Sequence, residues 1–331
     1  MDYDPSQYLG SASHYLVGRP PYSARLGEVL AQELALDGSG HLLDVGCGPG
    51  VLAVQLAPLF ERVTAIDPDP DMLAEARKHA AASGLTLDAR QARAEDIGTL
   101  DLPPMRVVTF GQSFHRVART PVAEAVYDLL EPGGAIVLVG HDIDARPAPT
   151  GTGDPPIPDG EVQELITSYL GPDRWSGTRR ASSYSSERWE VSLAKTRFGE
   201  PTTVHAPGRP DITRDVDGVI SGYLSMSYAA PHLFGDRLDQ FMTTSGVCSP
   251  HARKRGGSGT GLVTRLCSSP ASRTAPDGFW RRAGPLPDKP NHLRDGLRRF
   301  GIAHLCVPQE DRCADSWSAA LATARKTASA A

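Results

Sequence analysis

The sequence predicts an α/β protein built on a doubly wound, mostly parallel sheet, and three observations predict it. Short apolar runs at 41–45, 63–66, 107–110 and 135–139 alternate with stretches of helical periodicity. A glycine turn, Gly46-Cys47-Gly48-Pro49-Gly50, follows the first run directly. The intervening segments have the length of single crossover helices, and such crossovers return the chain to a parallel sheet.

Taken in order, residues 3–22 are rich in aromatics and turn formers and end in Arg19-Pro20-Pro21-Tyr22, where the prolines stop a helix from running through but can start one. Leu26, Val29, Leu30 and Leu34 then share one face of a packing helix ending near Asp37-Gly38. The first strand ends in Asp44, and from Val51 to Phe60 the apolar spacing is helical. Glycines at alternate positions let the chain turn sharply and let a ligand lie against the backbone. The helix start beyond them favours an anionic group. Cys47 is read as a small, reduced residue filling the turn. The dinucleotide fingerprint wants a third glycine where Val51 stands, and the carboxylate Asp44 precedes the turn, so a pyrophosphate ligand is disfavoured.

The second strand ends at Asp67, 21 residues beyond Gly46, the spacing at which a mononucleotide-binding half offers a carboxylate to ribose hydroxyls. Asp69 and Asp71 are better placed to cap the next helix, which turns Met72, Leu73, Ala76 and Ala80 inward. A third strand near Leu87 leads to Ala94-Glu95-Asp96, and the fourth to Gly111-Gln112-Ser113-Phe114-His115; both ends open on the rim where doubly wound folds bind ligands. Val122, Ala125, Val126, Leu129 and Leu130 mark a helix stopped by Glu131-Pro132-Gly133-Gly134, before the fully apolar fifth strand. Residues 143–160 read as a Pro/Gly-rich loop, and Val162 to Leu170 as a helix. Residues 189–204 read as a strand pair and 212–241 as mainly helical, together covering the sheet rim.

The chain thus divides into a leader and packing helix (1–40), a ligand-binding α/β core (41–142), a cover with the remaining sheet elements (143–243) and a basic, low-order tail (244–331). The tail holds 14 Lys/Arg against 6 Asp/Glu, whereas the first 243 residues hold 20 against 33, within a net charge of −5. Its abrupt change of composition, rich in Ser, Gly, Pro and Arg, is what an out-of-frame translation of a GC-rich gene would produce, and the default expectation for it is disorder. An acidic body does not suit nucleic acid, and the tail's few aromatics make no base-stacking platform. Five cysteines without a C-x-x-C pair predict neither a disulfide framework nor a metal site. With no long apolar run and no basic-apolar leader, the expectation is a cytoplasmic protein without membrane contact.

Leu43-Asp44-Val45-Gly46-Cys47-Gly48-Pro49-Gly50, Asp67, Ala94-Glu95-Asp96, Gly111 to His115 and Leu130 to Gly134 together resemble the small-molecule class I S-adenosylmethionine-dependent methyltransferases of the type 11 group, which share a Rossmann-like sheet. The leader, with Tyr15 and Arg19-Pro20-Pro21-Tyr22, is similar to that of the trans-aconitate methyltransferase-like branch. The resemblance spans about residues 10 to 240. It implies S-adenosyl-L-methionine as methyl donor, with Gly46, Cys47, Gly48 and Gly50 at its methionine moiety and Asp44 near its ammonium. Asp67 would hold the ribose, Met72, Ala94 and Glu95 would flank the adenine, and Gln112 would line the pocket. Tyr15, Arg19 and His115 fall to the acceptor, a small molecule offering a carboxylate or a hydroxyl. His115 would take a hydroxyl proton, or with Arg19 orient a carboxylate. Two departures stand out: Arg106 where the family often has aspartate, and Arg116 where it has tryptophan. The alternatives are a non-catalytic S-adenosylmethionine-binding module and, behind it, a nicotinamide-dependent oxidoreductase.

Overall fold

The computed structural model describes residues 3–141, 157, 159–180, 187–206, 214–247, 262–268 and 303–306. Five parallel strands form its centre: β1 (His41–Val45), β2 (Arg62–Asp67), β3 (Asp88–Gln91), β4 (Met105–Gly111) and β5 (Leu130–His141), in the spatial order β3-β2-β1-β4-β5. The order reverses between β1 and β4, so the ends of these two strands open a crevice. Beyond β5 the sheet continues antiparallel through β9 (Leu262–Ser268), then β8 (Pro201–Ala206) with β10 (Ala303–Cys306) beside it.

Alternation along the strands divides two cores. Leu42, Val63, Ala65, Val107, Ala135 and Val137 face α2 (Leu26–Glu33), α3 (Val51–Leu56) and α4 (Pro70–Ala82), meeting Leu26, Leu30, Leu52, Leu56 and Leu73. On the other face Leu43, Val45, Ile66, Val108, Phe110, Ile136 and Leu138 pack on Phe114 and on Val122, Ala123 and Val126 of α5 (Arg119–Leu129). Near-continuous apolar runs such as 135–139 are what a strand buried on both faces requires. A third cluster, around Ile166, Leu224, Phe234 and Phe241, holds the cover together: α6 (Asp159–Leu170), α8 (Val216–Leu224), α9 (Pro231–Phe234) and α10 (Leu238–Val247). No helix of the described residues is long and apolar enough to cross a membrane.

Several expectations are corrected. Residues 189–204 are not a strand pair but a helix, α7 (Trp189–Ala194), followed by β8. Trp189, Val191 and Leu193 alternate like a strand, yet Val191 is 44% exposed while Leu193 is wholly buried, so the period of two does not mark one face. The leader also contains a helix that its composition did not announce, α1 (Ala12–Gly18), which ends before Pro20-Pro21 and whose backbone crosses α8. The packing helix α2 stops short of Asp37-Gly38, because Ala35 takes a left-handed conformation (φ 49°) and the Leu36 N–H turns back to the Ala31 carbonyl at 3.0 Å. The fifth strand begins earlier than its apolar run, and the Pro132-Gly133-Gly134 stretch is absorbed as an irregularity in the β4–β5 register between Met105 and Val107. Residues 159–160, read as the end of the 143–160 loop, open α6, and 262–268 and 303–306 of the expected low-order tail are strands β9 and β10; the rest of that loop except 157, and the rest of the tail beyond 247, lie outside the described residues.

Candidate active site

Two adjoining cavities, of about 450 and about 130 Å³, open at the carboxyl ends of β1, β2 and β4. The smaller is lined by Gly46, Gly48, Asp67, Met72, Ala94, Glu95 and Gln112, gathering most of the residues expected at the cofactor. The larger is lined by Tyr15, Arg19 and His115, together with Asp44, Gly46 and Cys47. Tyr8, Tyr15, Gly46, Gly111, Gln112 and Arg116 line both and mark the seam between them. The one expected residue that lines neither is Gly50. At φ 74° it caps α3, and a Cβ there would lie 3.2 Å from the Ala76 Cβ of α4, so the third glycine serves helix packing.

The glycine turn is held by β2: the Gly46 and Cys47 N–H groups both donate to the Ile66 carbonyl, at 2.8 and 3.1 Å. Gly46 has φ 63°, and a Cβ on it would come within 2.7 Å of the Ser113 Cβ, so only glycine lets the turn close on the β4 end. Asp67 fastens the other side, accepting from Gly48 N–H at 2.8 Å and Asp69 N–H at 2.9 Å. Each carboxylate oxygen has the capacity for a further hydrogen bond, and Asp67 lines the smaller cavity. As expected, Asp69 is the cap of α4, accepting from the Asp71 and Met72 N–H groups.

Asp44 is 1% exposed; it accepts from Thr109 Oγ1 at 2.8 Å and from Ala53 N–H at 3.2 Å. The start of α3 therefore spends one of its free N–H groups on this side chain instead of offering it to a ligand. Burial outweighs these bonds and pushes the Asp44 carboxyl up to about 7, and burial likewise pushes Asp67 up to about 6. Glu95 accepts from Ala118 N–H at 3.1 Å and faces Arg93 at 3.5 Å, which fixes the turn that carries Ala94.

The larger cavity gathers cations. Arg19 donates to the Ser225 carbonyl at 3.0 Å and lies over the Tyr15 ring, while its Nε is buried with no hydrogen-bond partner among the described residues. Arg116 lies over the Tyr8 ring and donates to Ser227 Oγ at 3.3 Å. Arg214 donates to the Gly18 and Gly218 carbonyls. The other acid in the lining, Asp159, accepts from Tyr223 Oη at 2.5 Å. His115 stacks on Trp189, with ring centroids 6.3 Å apart and planes 5° from parallel. Burial first, then Arg116, Arg119 and Arg19, push its imidazole down to about 3.

Sequence reasoning missed Tyr8, Arg214 and Tyr223 and flagged Arg116 only as a departure. The first three come from the leader and the cover, and only packing brings them to the rim. Arg106, the other departure, donates to the Gly133 and Leu34 carbonyls, both at 2.8 Å, and so ties the end of α2 to the β5 entry, remote from both cavities. A second part of the leader roofs the smaller cavity: Tyr3, Asp4, Gln7 and Tyr8 line it from outside the sheet. This strap is pinned to a hairpin made by β6 (Trp175–Ser176) and β7 (Arg179–Arg180). Asp4 accepts from the Thr178 N–H and hydroxyl at 2.5 and 2.6 Å, and Gln7 Nε2 donates to Ser176 Oγ at 2.6 Å.

Residues 42–134 match the model of the methyltransferase domain family. The chain is 34% identical over 140 residues to a ubiquinone biosynthesis O-methyltransferase of Xanthomonas euvesicatoria, covering 38% of this chain and 58% of that protein. The enzyme of the same name from Xanthomonas axonopodis is 34% identical over 127 residues, covering 34% and 53%. The chain thus spans about half the length of the curated relatives it matches. Among solved structures it is similar to an S-adenosylmethionine-dependent methyltransferase from Clostridium acetobutylicum, at 20% identity and a TM-score of 0.30, over 43% of this chain and 52% of that one.

Proposed function

We propose that this chain is an S-adenosylmethionine-dependent methyltransferase that methylates a carboxylate oxygen of a small molecule. The single observation carrying the acceptor class is the cationic chamber, in which Arg19, Arg116 and Arg214 share one cavity and Arg19 Nε is buried without a partner among the described residues. A buried guanidinium N–H left unbonded is costly, and an anionic oxygen is its natural complement. The match of residues 42–134 and the O-methyltransferase names of the relatives support methyl transfer to oxygen.

The residues fit the methyl donor. Asp67 offers lone pairs to ribose hydroxyls, Met72 and Ala94 offer apolar surface to the base, and Asp44 lies where an ammonium would relieve its burial. When bound, the donor supplies a methyl group on a sulfonium, which passes to an oxygen lone pair and leaves a neutral thioether. Gly46 and Gly111 bring the backbone close at the seam, Tyr8 and Tyr15 exclude water there, and Arg19 and Arg116 aim the acceptor oxygen. Alignment of this kind is worth up to about 7–11 kcal/mol. No proton has to move, which suits His115: an imidazole held neutral down to about pH 3 is a weak base and serves as a wall stacked on Trp189.

A hydroxyl acceptor is the second reading, favoured by the name of the curated relatives. The test titrates the protein calorimetrically with S-adenosylmethionine and S-adenosylhomocysteine, alongside Asp67→Ala. It then incubates the protein with methyl-labelled donor and benzoate, cinnamate, fumarate, citrate or catechol. Binding lost in Asp67→Ala, with label released as methanol by mild base, is the expected result, since esters hydrolyse and ethers do not. Base-stable label on catechol would move the assignment to hydroxyl, and absence of binding by the folded protein would overturn the methyltransferase reading.

A further inference from the structure

Among the described residues only two non-glycines have a positive φ, Ala35 at a helix end and Gln112 at the seam, with φ 56°. Left-handed backbone in a residue with a long side chain is strained, and such strain persists where the surroundings impose it. They do so here from both sides. Gln112 N–H donates to the Val139 carbonyl at 2.9 Å. Ser113 Oγ donates to the Val45 carbonyl at 2.6 Å. Gly111 is wedged so that a Cβ would lie 2.6 Å from Leu52 Cδ1 and 2.8 Å from Tyr22 Oη. Glycine would take the conformation at 112 without strain, so the glutamine is kept for its side chain. Gln112 lines both cavities.

Building on the methyltransferase reading, we propose that Gln112 is the residue that sets donor and acceptor in line, its carboxamide spanning the seam between the two cavities. The amide N–H₂ can donate to the acceptor's anionic oxygen, and the amide oxygen can face the polarised C–H bonds at the donor's sulfonium. Arg19, Arg116 and Arg214 bring charge to the acceptor chamber, and Gln112 adds a neutral group with both a donor and an acceptor at the crossing point.

The test compares Gln112→Gly and Gln112→Asn with the wild type in three readouts: melting of the ligand-free protein, calorimetric affinity for S-adenosylhomocysteine, and turnover on the best acid of the panel above. For Gln112→Gly the expected result is a melting temperature equal to or above that of the wild type, affinity within about threefold, and kcat reduced at least about thirtyfold with little change in the acceptor's KM. Gln112→Asn, which keeps the amide one methylene short, should recover part of the lost kcat. A lower melting temperature in Gln112→Gly would overturn the strain argument. Turnover within about threefold of wild type with normal affinity would overturn the alignment role alone. A wild type that does not bind S-adenosylhomocysteine overturns the underlying reading and this inference with it.

Discussion

Asp44 and Asp67 each lower the stability of the ligand-free protein as pH rises. Both carboxyls sit in the folded state well above their ordinary range near 4, at about 7 and about 6, chiefly because they are buried. Below pH 4 they are protonated folded or unfolded and impose no penalty. Above pH 4 the unfolded chain ionises them while the folded protein holds their protons, so their contribution to stability falls with rising pH and is fully lost once pH passes about 6 for Asp67 and about 7 for Asp44. For Asp44 a shift of this size corresponds to an order of magnitude of 4 kcal/mol at most. His115, held down to about 3 in the folded protein, works the other way and adds stability as pH rises through the ordinary imidazole range, so the Asp44 share is read from the change in melting temperature between pH 5.5 and 8, wild type against variant. Asp44→Asn should remove that share and raise the melting temperature at pH 8, while weakening S-adenosylmethionine binding at least about tenfold; calorimetric scans across pH check both. A dependence equally steep in Asp44→Asn would show that other groups cause it. His115 carries the opposite expectation. With its imidazole held near 3, no limb near pH 6.5 should appear in kcat, and His115→Asn should keep turnover within about tenfold, as a pH–rate profile between 5.5 and 9 would show.

At the scale of elements, the crossing of α1 and α8 is the joint that builds the larger, arginine-lined cavity. Gly18 and Gly222 meet there backbone to backbone: a Cβ on Gly18 would overlap Gly222 N, and one on Gly222 would lie 2.8 Å from the Gly18 carbonyl oxygen and 2.6 Å from Arg214 Nη2. Gly222→Ala should cost about 1–3 kcal/mol by overpacking and also displace Arg214 and Arg19. The expected result is a lower melting temperature together with a larger loss of acceptor affinity than of S-adenosylhomocysteine affinity, measured by denaturation and by calorimetry. This joint also shows where sequence reading stops. The β1–turn–α3 unit, Asp67 at the end of β2 and the Asp69 cap are legible because a few adjacent residues determine each of them. Arg214 donates to a carbonyl 196 positions away, and nothing near it in sequence announces that. Residues 189–194 mislead for a related reason, since the alternation of Trp189, Val191 and Leu193 is local while the burial that decides between helix and strand comes from α5 and β8.

Over the whole molecule, the central sheet was legible because parallel strands buried on both faces must be apolar and must alternate with crossover helices. The cover was less so, because its third core is made by helices from distant parts of the chain. The strap shows the same dependence on long-range contacts. Asp4 accepts from both Ser6 and Thr178, and a Cβ on Gly177 would overlap its carboxylate, so leader and hairpin fit closely. Asp4→Ala should release this edge of the roof. S-adenosylhomocysteine affinity should fall about tenfold, mainly through faster dissociation, while the ligand-free melting temperature falls by no more than about 4 °C. Stopped-flow dissociation would test it, and an unchanged off-rate would show that the roof does not hold the ligand.

One continuous stretch, from Tyr3 to Tyr22, walls both cavities, with Tyr8 and Tyr15 facing each. A ligand that steadies this stretch in one compartment has already borne part of the ordering entropy that a ligand in the other would otherwise face. Reciprocity then requires that each ligand tighten the binding of the other by the same factor. On the proposed assignment the donor lies under the strap in the smaller cavity, and the expected order is donor first and spent thioether last. Steady-state kinetics would carry that signature as inhibition by S-adenosylhomocysteine that is competitive toward the donor and not toward the acceptor.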